Sequence, residues 1–176
     1  MNIIGGKVIL RAIEYTDCNM FLELINDPDT ERMLGGMSFP VSQMEQEQWI
    51  AKQVGSKNSL RCVVAERDRP SDGLGTVILT DMNQQNGTAQ IHIKMTAKSR
   101  GKGFGTEALR VMIRYAFEEL RLNCLYADIL SYNETSQRVF QKTGFRRDGI
   151  LRARVYKGGR YIDVHSYSLL REDWTE

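Results

Sequence analysis

The sequence predicts an α/β protein whose central sheet is mixed and mostly antiparallel, with helices flanking it. The first observation is a strand, a helix and a strand in succession over residues 88–130, because such a crossover joins two parallel strands. The second is a pair of hairpin signals, Asn86-Gly87 and Gly158-Gly159, which favour antiparallel pairs elsewhere. The chain has 176 residues and no internal repeat or long linker, which fits a single domain over residues 1–176.

The first part of the chain predicts one strand and two helices. Residues 7–11 read as a short strand, and a helix with apolar residues three or four positions apart follows. This helix is expected to end before Asp27-Pro28, because proline disfavours helical backbone in the residue before it. Residues 42–54 predict the second helix. The connection over residues 33–40 is apolar but rich in helix breakers, and a mobile substrate-side loop and a buried connection fit it equally.

The middle of the chain predicts three strands joined by two turns. The strands are Leu60–Glu66, residues 74–81 and Thr88–Met95. The first turn, residues 67–73, is rich in Asp, Pro and Gly, and the second, residues 83–87, ends in Asn-Gly. The third strand alternates between an apolar and a polar face. Its apolar face holds Ile91, Ile93 and Met95, and its polar face holds Gln90, His92 and Lys94.

The second half predicts the longest helix and the remaining strands. Residues 103–120 carry one broad apolar stripe at helical spacing. Cys124–Leu130 is a nearly continuous apolar strand, and a short helix over residues 133–143 stops before a glycine, which favours a helix end. Residues 145–155 and 161–170 predict a final pair of strands.

Composition argues against several functional classes. The net charge is only +2 and no array of basic and aromatic residues occurs, so nucleic acid is not an expected partner. No apolar run approaches the roughly 20 residues of a membrane span, and the start lacks a signal-peptide pattern. We therefore expect a cytoplasmic protein that does not bind membranes. Three widely spaced cysteines predict neither a disulfide framework nor a metal site, and Cys62 and Cys124 are expected to be buried thiols.

The junction before the longest helix is the main candidate for a binding site. It reads Ser-Arg-Gly-Lys-Gly-Phe-Gly-Thr over residues 99–106 and contains the pattern R-x-x-G-x-G. Glycines let the backbone approach a ligand closely. The start of a helix adds unpaired N–H groups and the positive end of its dipole, which suit a diphosphate. Arg100 and Lys102 add positive charge. The alternative is a tight turn in which the glycines serve only a left-handed backbone.

Two other phosphate-binding loops fit this junction poorly. A P-loop needs Ser or Thr directly after its lysine, but Gly103 follows Lys102. A dinucleotide fingerprint needs a third glycine where this sequence has Thr106.

Three motifs in the same order resemble the GCN5-related N-acetyltransferases. The first is the glycine-rich loop itself, which continues to residue 109. The second is N-x-x-S at residues 133–136, followed by K-x-G-F at residues 142–145, and the third is the tail over residues 149–163. The last two are similar to the branch of ribosomal-protein alanine/serine N-acetyltransferases. The resemblance covers nearly the whole chain. It implies the GNAT fold, in which a parallel strand pair splays apart, and it is compatible with a homodimer.

The resemblance also implies acetyl-CoA as cosubstrate. Backbone N–H groups of the glycine-rich loop would hold its diphosphate, and Thr88–Met95 would pair with its pantetheine arm. Asn133 would hydrogen-bond the pantetheine, and Ser136 would lie near the thioester sulfur. The residues with an implied role in coenzyme binding are Met95, Arg100, Gly101, Lys102, Gly103, Phe104, Gly105, Thr106, Asn133 and Ser136.

For catalysis, the resemblance implies direct attack of an amine on the thioester. The N–H near Met95 is the candidate donor to the oxyanion. Ser136 would give a proton to the leaving thiolate, although a first-turn serine that satisfies a backbone N–H is the alternative. Many relatives use a glutamate base where this chain has Gln90, which cannot accept the proton. His92 is therefore the candidate base or water-orienting residue, and an ordinary structural histidine is the alternative.

The acceptor is not named by the sequence. Polyamine acetyltransferases of the superfamily often carry a tyrosine where this chain has Phe140, which weakens a polyamine assignment. Asp163, with Tyr161 and His165 on the same strand face, either contacts a cationic amine or belongs to an ordinary polar face. The expected acceptor is a peptide or small-molecule amine: a protein N-terminus, or a compound such as an amino sugar or antibiotic. A CoA-binding sensor without catalysis is the alternative from another class.

Overall fold

The computed structural model of the protein describes residues 1–36, 39–53 and 58–175. Three short 3-10 helices, Tyr15–Asp17, Ala97–Ser99 and Arg171–Asp173, accompany the longer elements. The strands are β1 (Ile3–Ile4), β2 (Val8–Arg11), β3 (Leu60–Glu66), β4 (Arg69–Asn83), β5 (Thr88–Met95), β6 (Cys124–Leu130), β7 (Arg146–Lys157) and β8 (Arg160–Leu170). The helices are α1 (Cys18–Asn26), α2 (Pro28–Arg32), α3 (Gln43–Ala51), α4 (Phe104–Glu118) and α5 (Glu134–Lys142).

All strands of the described chain form one eight-stranded sheet in the order β1-β2-β3-β4-β5-β6-β8-β7. Neighbouring strands are antiparallel except β5 and β6, which are parallel and are joined through α4. The prediction of a mixed, mostly antiparallel sheet is confirmed. Among the described helices, none is long and apolar enough to cross a membrane.

The parallel pair in the middle of the sheet separates along its length. Pairing is confined to three positions, Thr88 with Cys124, Ala89 with Leu125 and Gln90 with Tyr126. Both strands continue past these positions, β5 to Met95 and β6 to Leu130, without further pairing to each other. The splayed pair implied by the family resemblance is therefore present, and the strands are apart at their carboxyl ends.

Two apolar layers cover the sheet. On one face α4 buries Leu109, Met112 and Phe117 completely against the strands. Burial of each such side chain contributes about 1.5–3 kcal/mol. On the other face α1 and α3 form a smaller cluster, in which the rings of Phe21 and Trp49 lie 5.1 Å apart. The helices hold the rigid sheet from both sides, so that its splayed end is positioned by the core.

Several predicted boundaries are confirmed. Helix α1 ends at Asn26, and α3 is preceded by Ser42, whose hydroxyl oxygen accepts from Glu45 N–H while the Glu45 carboxylate accepts from Ser42 N–H. Helix α5 is followed by Gly144 in a left-handed conformation with φ of +95°. The predicted end of the second helix, Val54, lies outside the described residues.

The prediction of a long turn over residues 67–73 is wrong. Strand β4 already begins at Arg69, and its glycines pack inside the sheet. A Cβ on Gly73 would lie 2.6 Å from Met20 Sδ, and one on Gly75 would lie 2.2 Å from Lys94 O. Both glycines are therefore required by close contact with neighbouring chain, and Gly73, together with the Asp and Pro residues before it, imitated a turn.

Two elements and one cysteine also differ from expectation. Strand β1 and helix α2 were not predicted; α2 begins with Pro28, and the Asp27 side chain accepts hydrogen bonds from the N–H groups of Asp29 and Thr30. Cys62 is buried, and burial raises its thiol pKa to about 11. Cys124 is only half-buried, contrary to prediction, because its side chain lies on the face of β6 opposite Leu125.

The connection after α2 can be described only in part. Met33 and Phe39 are 45% and 71% exposed, which contradicts a fully buried connection, and Leu34 is half-buried. Residues 37 and 38 lie outside the described part of the chain.

Candidate active site

The splayed end of the sheet brings two helix starts together. Strands β5 and β6 are parallel, so their carboxyl ends lie at the same edge of the sheet. Helix α4 follows β5 after a short loop, and α5 follows β6 after three residues. In sheets of this kind, ligands bind in the crevice outside the carboxyl ends of the strands. This edge is therefore the candidate site.

The glycine-rich loop has a left-handed backbone at two positions. Gly101 and Gly103 have φ of +75° and +84°, and a Cβ on either would meet no atom within 4 Å. Gly103 is the N-cap of α4 and no side chain caps the helix there; Glu107 N–H bonds Gly103 O at 3.1 Å. The N–H groups before Glu107 in the first turn thus have no carbonyl partner within the helix, and such groups are suited to bind an anion.

Gly105 has a different role from the other two glycines. A Cβ on Gly105 would lie 3.3 Å from Met95 Cγ and 3.6 Å from Ile93 Cδ1. The first turn of α4 therefore packs directly on the end of β5. The only acid in that turn, Glu107, accepts a hydrogen bond from Lys7 N–H in the loop before β2, so that its charge is engaged away from the loop.

Arg100 is held by the protein itself. Its Nε donates to Met95 O at 3.0 Å, and its guanidinium lies 2.6 Å from Thr30 Oγ1 and 3.4 Å from Asp27 Oδ2. The side chain thus ties the loop to the end of β5 and to α2. Lys102 is exposed beside the loop. The predicted contribution of Arg100 to coenzyme binding remains a prediction.

Two buried hydroxyl residues, missed by sequence reasoning, fix the turn before Arg100. Thr96 Oγ1 lies 2.9 Å from Ser99 Oγ, and both oxygens lie within hydrogen-bonding distance of Leu74 O, at 3.0 and 2.7 Å. Thr96 and Ser99 are 1% and 2% exposed. Their only sequence signal was a pair of hydroxyl residues three positions apart at a strand end. They give the loop a rigid base.

At the start of α5, the Asn133 side chain caps the helix and the Ser136 hydroxyl does not. Asn133 Oδ1 accepts from Ser136 N–H at 3.1 Å, and Asn133 Nδ2 donates to Met33 O at 3.2 Å. The Ser136 hydroxyl has no hydrogen-bond partner in the part of the chain that the structure describes. The alternative in which this hydroxyl caps the helix is therefore not observed, and the side chain is free for another role.

The polar face of β5 belongs to the side of the sheet that carries α1 and α3, opposite α4. His92 Nε2 is 3.0 Å from Thr80 Oγ1. Burial lowers the His92 pKa, and the positive charges of Lys94 and Arg61 lower it further. The imidazole is thus neutral near pH 7 and can accept a proton. Gln90 Nε2 lies 3.4 Å from Asp128 Oδ2 across the paired part of β5 and β6.

Three further residues on this polar face were not selected from sequence. Tyr126 and Asp128 lie on β6 and Arg61 lies on β3. Burial raises the Tyr126 pKa, and the nearby carboxylates of Asp81 and Asp128 add to the effect. The sequence signal for the first two was a polar residue at every second position of an otherwise apolar strand. Arg61 became a candidate only through the strand register.

Helix α2 connects the two sides of the splayed end. On the β5 side, Asp27 and Thr30 contact Arg100. On the β6 side, the Tyr132 hydroxyl donates to Arg32 O. The Lys157 ammonium on β7 forms an ion pair with Glu31. The helix therefore lies across the open edge of the sheet.

The residues predicted on the last hairpin make structural contacts. Asp163 Oδ1 accepts from Ala153 N–H at 2.7 Å and supports a bulge of β7 in which Ala153 has φ of +48°. His165 Nδ1 and the Tyr167 hydroxyl both contact Gln137 Oε1, at 3.2 and 3.1 Å. These bonds fix α5 on β8 and place neither His165 nor Asp163 beside the glycine-rich loop.

The comparisons with known proteins agree with this geometry. The family model of the acetyltransferase (GNAT) domain matches residues 7–146. The SPbeta prophage-derived uncharacterized N-acetyltransferase YokL of Bacillus subtilis (strain 168) is 29% identical over 97% of this chain and 93% of its own. The putative ribosomal N-acetyltransferase YdaF of the same organism is 37% identical over 57% of this chain and 55% of its own.

A solved structure has the same fold. The spermidine N-acetyltransferase from Vibrio cholerae, in complex with CoA and spermine, superposes with a TM-score of 0.86. The match covers 95% of this chain and 97% of the other at 24% sequence identity. The likeness in fold therefore extends over nearly the whole of both chains.

Proposed function

The chain belongs to the acetyltransferase (GNAT) domain family and is an N-acetyltransferase, and we propose that it transfers the acetyl group of acetyl-CoA to a primary amine by direct attack on the thioester. One observation carries the proposal. The parallel strands separate toward the carboxyl ends from which the chain runs into two helices, so that an open strand edge and a cluster of helix N–H groups share one crevice. The primary amine is that of a peptide N-terminus or of a small molecule.

The donor half of the site uses backbone groups. The N–H groups between Gly101 and Thr106 are suited to the coenzyme diphosphate, because they combine a left-handed loop with the positive end of the α4 dipole. The pantetheine arm resembles a short peptide strand and would pair with the edge of β5 that β6 leaves open. The remaining Nδ2 hydrogen of Asn133 is suited to the same arm, although its other bonds are made within the protein.

The reaction requires three changes of bonding around one carbonyl carbon. The amine forms a C–N bond to the thioester carbon, and the resulting oxyanion would receive a hydrogen bond from the N–H near Met95. The C–S bond then breaks, and the CoA thiolate would take a proton from Ser136, whose hydroxyl would regain one from water. The proton lost by the attacking amine would pass to His92, directly or through water, since its imidazole is neutral near pH 7.

A polyamine is the alternative acceptor. A relative named spermidine N(1)-acetyltransferase, from Vibrio cholerae, is 24% identical over 97% of this chain, which supports a polyamine acceptor. Phe140 speaks against that acceptor, because it is buried in the core, edge-on to Phe145 at 5.0 Å, and brings no hydroxyl to the site.

The proposal is tested by turnover and binding measured separately. Purified protein is incubated with acetyl-CoA and amines that include peptides, amino sugars and polyamines, and the release of free thiol is followed. Titration calorimetry with CoA measures coenzyme binding. Acetyl transfer above background identifies the class of acceptor, whereas CoA binding without transfer to any of these amines would contradict a primary-amine acceptor.

Ser136→Ala tests the proton donor. We expect kcat to fall by about 10²-fold with CoA affinity unchanged, because general acid catalysis contributes about that factor. Thr135→Ala is the matched control, since Thr135 is exposed on the same turn of α5. Equal rates for the two variants would remove Ser136 from the mechanism.

A further inference from the structure

Two positive side chains share the polar face of the sheet. Arg61 of β3 and Lys94 of β5 are both half-buried. In the described part of the chain, neither forms an ion pair with an acid. Their mutual repulsion is strong enough that Arg61 lowers the Lys94 pKa, after the larger effect of burial. Like charges that are partly withdrawn from water destabilise a protein unless a counter-charge joins them.

Strand register places these groups beside the candidate base. Arg61 pairs with Ile78 and Ile78 pairs with His92, so the three residues form a row across three strands. Lys94 is two residues along β5 from His92 and on the same face. Both cations lower the His92 pKa, which places them within electrostatic range of its imidazole. The Arg61 guanidinium is held 5.9 Å above the Trp49 ring, so its position is defined.

This face differs from the one that the coenzyme would use. Ile91, the residue between His92 and Gln90, packs in the core cluster that contains the buried residues of α4. Lys94 therefore points away from α4 and from the diphosphate site at its start. An acceptor that reaches the thioester through the splayed gap, from the side opposite α4, would meet the two cations. The acids Asp81 and Asp128 affect His92 in the opposite sense.

We propose that Arg61 and Lys94 bind an acidic group of the acceptor, so that the acceptor is a small amine that also carries a carboxylate. This inference rests on the proposed function and makes it more specific. A carboxylate would offset one of the two positive charges and accept charge-assisted hydrogen bonds from both side chains. A polyamine, which carries only positive charge, would be repelled from this part of the face.

The test measures binding to the protein–CoA complex, so that it does not depend on turnover. The probes are free amino acids and ω-amino acids of increasing length, each compared with its amide, which keeps the amine and loses the carboxylate. We expect at least one acid to bind about tenfold more tightly than its amide. This ratio is measured in the unaltered protein and needs no variant.

Lys94→Met then assigns the preference to the side chain. It removes the charge and keeps most of the volume, and we expect it to abolish the difference between acid and amide. Lys52→Met is the control, because Lys52 is exposed at the end of α3. Equal binding of every acid and its amide, or a preference that survives in Lys94→Met, overturns the inference. Acetyl transfer to the same probes is measured separately, and its absence would count against the proposed function.

Discussion

Replacement of Gly103 by alanine isolates the conformational requirement of the coenzyme loop. Gly103 has φ of +84° and ψ of −10°, and the added Cβ would meet no atom within 4 Å. Its cost therefore comes from the left-handed backbone alone, about 1–2 kcal/mol. The gain from a less flexible unfolded chain, about 0.4–1 kcal/mol, offsets part of it. The net loss of roughly 1 kcal/mol corresponds to a fall in Tm of about 2–4 °C at this size.

Gly105→Ala is the matched comparison. Gly105 lies inside α4, where alanine is favoured over glycine by roughly 0.5–1 kcal/mol, and its Cβ would press only on the flexible Met95 side chain at 3.3 Å. We expect an unchanged or higher Tm. Calorimetry with CoA should show affinity reduced about tenfold or more in Gly103→Ala, because the loop turns its N–H groups away when the residue leaves the left-handed region. Unchanged Tm and CoA affinity in Gly103→Ala would refute this reasoning.

The remaining predictions concern stability. Arg11→Met should lower the free energy of unfolding by about 3–5 kcal/mol, because it removes the cation that pairs with the Asp17 carboxylate. That carboxylate is 2% exposed and lies 2.7 Å from the Arg11 guanidinium. Denaturant unfolding measures the loss, and a value below about 1 kcal/mol, as for an exposed pair, would contradict the prediction. The His92 pKa is lowered in the folded protein, whereas in the unfolded chain it is about 6.5. Just below pH 6.5 the unfolded chain therefore binds more protons, and acid favours unfolding. The fall in Tm from pH 7.5 to 5.5 should therefore be smaller in His92→Gln, and an equal fall in both proteins would show that His92 does not titrate this way.

Most of the fold could be predicted because its signals are local. Ser42 with Glu45, and Gly144 after α5, are capping signals read from a few residues. Helix α2 has a local capping signal, Asp27 before Pro28, but that signal was interpreted only as the end of α1, and five residues are too few for an apolar period. The start of β4 was misread in part because Gly73 is needed by its contact with α1, which is distant in sequence.

In the candidate site, too, the features that could be predicted are local in sequence, and those that could not depend on distant contacts. The left-handed glycines and the helix that follows them are contiguous, so the sequence could indicate them. The partners of Arg100, by contrast, are Asp27 and Thr30, about 70 residues earlier in the chain. The row formed by Arg61 and His92 likewise depends on the pairing of three strands, which composition and spacing do not determine.

The early end of pairing between β5 and β6 has a consequence for how the protein avoids unwanted association. An unpaired strand edge is adhesive and normally invites another polypeptide to extend the sheet. In this chain such an edge lies in the interior of the sheet, flanked by strands on both sides and crossed by α2. The narrow pantetheine arm of the coenzyme could enter the gap between β5 and β6. A β-strand of another chain has side chains on both faces and would have to separate the sheet further. The fold thus keeps an unpaired strand edge available to a small ligand while protecting that edge from pairing with other chains.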